Sequence, residues 1–144
     1  MQPMSRLEEK YPKLAKWIVE EFPKVKNNGK VWAAFVTYSE LGQKARYAVM
    51  PHYHPYIDYK VMTGLGLYKE GSKKDPNTIF LAKSFCERFE SKDWKLQKMH
   101  RLMEATLLHE LVHWGDWQDR KDQNGEEGDQ FETAAYGEVL RKYW

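Results

Sequence analysis

His109-Glu110-Leu111-Val112-His113 is an HExxH sequence set in a long apolar run. Four residues apart on a helix, two imidazoles project from one face and can grip a single metal ion. Zinc accepts neutral imidazoles and carboxylates in a tetrahedral set, and catalytic sites leave one position to water. Glu110, between the histidines, stands where it can take a proton from a water that the metal activates. A lone histidine on a buried helix is ordinarily a satisfied core residue. Two of them bracketing a glutamate read differently, because three buried ionisable groups within five residues are costly without a metal to compensate.

A third ligand must come from elsewhere. Glu132 is the first choice: it lies early in the next helical segment, after a loop long enough to fold that helix back, and small Ala134 and Ala135 permit close approach. Asp116 is the rival, but it sits about 10 Å beyond His109 along a straight helix axis. A hydrogen bond to a ligand histidine suits it better. Glu132 also has a plainer reading, since Asp129-Gln130-Phe131-Glu132 has capping-box spacing. Tyr136, one turn after Glu132, could stabilise a tetrahedral oxyanion, although packing is its default role. His52, His54 and His100 are unattached candidates for the same task. Trp114 and Trp117 read as packing residues. Asp119, Asp122, Glu126, Glu127 and Asp129 lack EF-hand spacing and read as a solvated acidic loop.

The elements that position these groups follow from periodicity. Leu96, Met99, Leu102, Met103, Leu107, Leu108, Leu111 and Val112 predict a long, central, largely buried helix from Trp94 to about Trp114. A polar loop, Asp119 to Gly128, precedes a last helix from Asp129, its N-cap, to about Tyr143. Upstream, Ser5-Arg6-Leu7-Glu8 has capping-box spacing, and Pro12 opens a helix that runs to Phe22. Val31 to Tyr38 is apolar throughout and fits helix or strand, with helix the preferred reading. Arg46–Met50, Ile57–Met62 and Thr78–Ala82 read as strands, with Lys83–Glu90 helical after them. The whole is a single domain, 1–144, of α+β class: N-terminal helices, a small and mostly antiparallel sheet, the long HExxH helix, and a C-terminal helix carrying the third ligand. The strand near Thr78–Ala82 is expected at a sheet edge, where an extended peptide could pair with it.

A chain of 144 residues is long enough for a core of its own. Its net charge of +2 is dispersed, which argues against a nucleic-acid partner. Cys86 is the only cysteine, so an intrachain disulfide and a thiolate cluster are both excluded, and it reads as a small buried hydrophobe. No apolar run reaches membrane-spanning length, and Met1-Gln2-Pro3-Met4-Ser5 is no signal peptide. The expectation is a chain made in the cytoplasm and, if exported, exported by a specialised route.

Leu108 to Asp116, then Gly125-Glu126-Glu127-Gly128, then Phe131-Glu132 and Tyr136-Gly137 together resemble the small metallopeptidase toxin domains of bacterial polymorphic toxins, including effectors linked to type VI secretion. The dense match covers about Ala105 to Gly137. The resemblance implies a zincin-like α+β fold, zinc on His109, His113 and Glu132, and Glu110 as catalytic glutamate. It also implies a protein or peptide substrate, delivery into a target cell, and an immunity protein or secretion component as partner. A start at Met1 departs from the usual fusion to a delivery module, and leaves a processed domain and a stand-alone cargo effector equally open. Two other readings stand beside the toxin: an intracellular regulatory zinc peptidase that cuts one protein partner, and a structural zinc or binding domain without turnover.

Overall fold

Helix α6, Gln97–Gln118, is the axis of the molecule, and the computed structural model describes residues 1–118 and 126–144 around it. Met99, Met103, Leu107, Leu108, Leu111 and Val112 are wholly buried along α6. Each contributes roughly 1.5–3 kcal/mol relative to exposure. Helix α3 (Gly29–Ser39) packs on α6 and also on α7 (Glu127–Tyr136). The Asn28 side chain caps α3 by accepting from the Val31 amide. Gly115 is needed where α3 ends against α6, because a β-carbon there would overlap the Ser39 carbonyl oxygen. Phe35 of α3 meets Phe131 of α7 edge to face at 6.3 Å.

Four strands form one sheet in the order β1-β2-β4-β3: β1 (Gln2–Pro3), β2 (Tyr56–Lys60), β3 (Gly66–Tyr68) and β4 (Thr78–Ala82). β1 and β4 both run parallel to β2, and only β3 is antiparallel to its neighbour, β4. The sheet is therefore mixed and mostly parallel, not mostly antiparallel. β4 lies inside the sheet, so it is not the expected edge. Its Ile79, Leu81 and Ala82 are wholly buried, and a near-continuous apolar run is what a strand covered on both faces requires. The edge beside α6 is β3.

Among the described residues the helices are α1 (Ser5–Lys10), α2 (Pro12–Glu20), α3, α4 (Ala45–Ala48), α5 (Lys83–Arg88), α6 and α7. Pro12 opens α2 as expected, but α1 starts after Met4 without a side-chain cap. The segment expected as a strand at Arg46–Met50 is helix and turn instead: Ala45 and Ala48, three apart, bury one face. α6 begins at Gln97, after the turn in which Leu96 N–H donates to Asp93 O. α7 begins at Glu127, with Glu126 rather than Asp129 at its N-cap. It ends at Tyr136, well before Tyr143, because Gly137 takes a left-handed conformation (φ 82°) and its N–H closes on Thr133 O. The tail then returns over the body. The Tyr143 hydroxyl donates to Asp93 at 2.7 Å, and Trp144 stacks on Phe85. Of the expected loop at Asp119–Gly128, residues 119–125, Asp119 and Asp122 among them, lie outside the described residues. No described helix is long and apolar enough to cross a membrane.

Candidate metal centre

α6 carries His109, Glu110 and His113 at the positions where it meets β3 and α7. The imidazoles are neighbours on one face, with ring centroids 5.0 Å apart. Glu110 is buried and turned toward the sheet, where its Oε2 accepts from the Tyr68 amide at 2.7 Å. β3 comes this close because Gly66 has no side chain. A β-carbon there would stand 2.8 Å from Thr106 Cγ2 and 3.0 Å from Glu110 Cγ. Burial raises the pKa of Glu110, while the His109 charge and the Tyr68 N–H partly oppose the rise.

α7 supplies the carboxylates. Glu132, 5% exposed, places Oε1 2.6 Å from His109 Nδ1, and its Oε2 accepts from the Leu140 amide at 2.7 Å. Asp129 Oδ1 is 4.0 Å from the same nitrogen. The ligand atoms of His109, Asp129 and Glu132 all lie within 4.8 Å of one another. Burial disfavours charge on His109, but the Glu132 hydrogen bond and the surrounding carboxylates outweigh it, so its pKa is raised. The first turn of α7 seats against this ring: a β-carbon on Gly128 would overlap the imidazole at Nε2.

His113 looks toward a different pair. Its Nδ1 is 3.8 Å from Glu70 Oε1 and 4.0 Å from Glu127 Oε2. Burial and the neighbouring His109 lower its pKa. Glu127 is 5% exposed, and its Oε1 has no hydrogen-bond partner among the described residues. Two imidazoles, buried carboxylates and an orphaned carboxylate oxygen make a donor set that fits a divalent cation of the kind that accepts nitrogen and oxygen together.

The sequence profile of the family described as Metallopeptidase toxin 3 matches residues 7–137. The chain belongs to that family. It is a metallopeptidase toxin domain, and comparisons with curated proteins and with solved structures return no match.

Around the centre of this metallopeptidase toxin domain, the remaining sequence candidates are placed as follows. Tyr136 turns its hydroxyl to Glu104, donating to Oε1 at 2.7 Å, and packs against Phe131. Glu104 lies five residues before His109, so the hydroxyl is committed to α6 short of the histidines. Asp116 is 3% exposed, with Oδ1 unpartnered, and among the described residues it bonds neither histidine. His100 stacks on Phe89 and its Nε2 meets Trp94 O. His52 and His54 are exposed and outside the candidate ligand group. Cys86 is buried, its thiol pushed up to about 12 by burial. Glu70, Glu127 and Asp129 are the groups that reading the sequence did not bring to the toxin's centre. A signal was present for two of them: Gly128 separates Glu127 from Asp129, and a glycine there lets both carboxylates approach the imidazoles.

Proposed function

We propose that this toxin domain is a zinc-dependent endopeptidase of zincin type, delivered into a target cell by a specialised secretion system such as type VI. His109, His113 and Glu132 would hold the zinc. The observation that carries this reading is the buried contact of Glu132 with His109, one turn from His113 and next to Glu110. Bound there, zinc would acidify a water and polarise the scissile carbonyl. Glu110 takes the proton of the attacking water and returns it to the departing amine. Tyr68 N–H holds Oε2 of Glu110, so Oε1 is the oxygen left to exchange the proton. In an antiparallel pair outward and inward peptide groups alternate, and the alternation turns those of Gly66 and Tyr68 away from β4. The Tyr68 N–H is held by Glu110, so an extended substrate would pair with the Gly66 peptide groups and the Tyr68 carbonyl along that edge, within reach of Glu110. The substrate is a protein or peptide of the recipient cell, and an immunity protein guards the producer.

The purified domain is expected to take up one equivalent of zinc and to cleave an unfolded protein. A chelator should stop cleavage and added zinc restore it. Zinc retained without cleavage of any substrate would return the domain to a structural role, and failure to take up zinc would end the reading.

Glu132→Ala should weaken zinc binding by more than the roughly 10–100-fold typical of losing a supporting hydrogen bond. Asp116→Ala should stay at or below that range. Calorimetric titration of the two variants ranks them, and the reverse order would make Asp116 the ligand.

A further inference from the structure

Glu127 is not accounted for by the ligand set above. It is the first residue of α7, its side chain is 6% exposed, and its Oε1 is unpartnered among the described residues. Oε2 stands 4.0 Å from His113 Nδ1, too far for a hydrogen bond. A carboxylate buried in this way needs a cation or donors to offset desolvation. Other carboxylates nearby differ in kind. Both oxygens of Glu132 are engaged, by His109 and by the Leu140 amide. The side chains of Asp129 and Glu70 are 49% and 39% exposed, so neither carries the full desolvation cost of a buried charge.

We propose that Glu127 is a second carboxylate ligand of the metal, reaching it from the His113 side. The inference rests on the peptidase reading, which puts the metal at His109 and His113. A catalytic metal must admit water, whereas four protein ligands close a site. Glu127 would therefore be the ligand that gives way to water. Glu132 stays in place, tied to the tail.

The test is titration of metal-free protein with Zn²⁺ and with Co²⁺, reading the dissociation constant, the visible absorption of bound cobalt and the melting temperature before metal is added. Glu127→Gln should raise both dissociation constants at least tenfold and alter the cobalt spectrum. The metal-free melting temperature should hold or rise, because a neutral amide of the same shape replaces a buried carboxylate. A remote exposed variant, Glu9→Gln on α1, should change none of these. If Glu127→Gln binds both metals as the unaltered domain does, while His113→Ala abolishes binding, the inference falls and the peptidase reading stands. If the unaltered domain binds neither metal, both fall. Should Glu127→Gln fail to fold, anomalous diffraction at the zinc edge from the loaded, unaltered domain decides. A Glu127 oxygen at about 2.0–2.2 Å from the metal supports the proposal, and one beyond hydrogen-bond range overturns it.

Discussion

Glu110→Gln is expected to lower turnover of the zinc-loaded domain by about 10²–10⁴-fold, the usual contribution of a positioned proton acceptor. Zinc affinity should stay near that of the unaltered domain. The amide keeps the shape of the carboxylate, and its oxygen can still accept from the Tyr68 N–H that holds Oε2. What it loses is the capacity to take a proton. Steady-state proteolysis together with a zinc titration separates the two effects. Expression in a sensitive cell adds a third readout: toxicity should vanish with Glu110→Gln while the protein remains folded. Full turnover in the variant would remove Glu110 from the mechanism. An unaltered domain that is harmless in every compartment would instead favour a peptidase with one dedicated intracellular target.

Gly128→Ala is expected to lose zinc affinity by roughly 10–100-fold or more, as when a group that orients a ligand is disturbed. The new methyl overlaps the His109 imidazole, so either the ring turns away from Glu132 or the first turn of α7 retreats. Retreat would carry Glu127 and Asp129 with it. The metal-free domain should also lose about 1–3 kcal/mol from overpacking. Zinc titration and chemical denaturation of the same preparation measure both losses. Unchanged affinity would mean that the seat of α7 on His109 does not matter to the centre.

The helix that carries the histidines was legible because its apolar residues recur with the helical period over about four turns, from Met99 to Trp114. β2 was legible from its aromatic and β-branched residues between turn signals, whereas the apolar run at Val31–Tyr38 fitted helix and strand alike until its packing on α6 and α7 decided for helix. Arg46–Met50 was not: Tyr47 and Val49 favour strand, but burial of Ala45 and Ala48 against the core decides for helix. Sheet sense was illegible, since nothing within Ile57 or Ile79 records whether the strand beside it runs up or down. The unbroken apolar run at Thr78–Ala82 did carry the information that the strand is covered on both faces. At the candidate centre, the four-residue spacing of His109 and His113 within an apolar helical run foretold that the two rings share one helix face. Glu132 has capping-box spacing from Asp129, yet α7 opens two residues earlier and frees its carboxylate for His109. The position of Glu127 depends on how closely two helices approach, which no local pattern encodes.

The return of the tail has a consequence for the order in which the centre can assemble. Glu132 is steadied by the amide of Leu140, and the segment bearing Leu140 is in turn moored by Tyr143 and Trp144 to Asp93 and Phe85. A nascent chain that has emerged only as far as the two histidines lacks these moorings. Glu132 is therefore steadied only once the segment through Trp144 has folded back over Asp93 and Phe85, which ties the order of the candidate centre to residues far beyond α7.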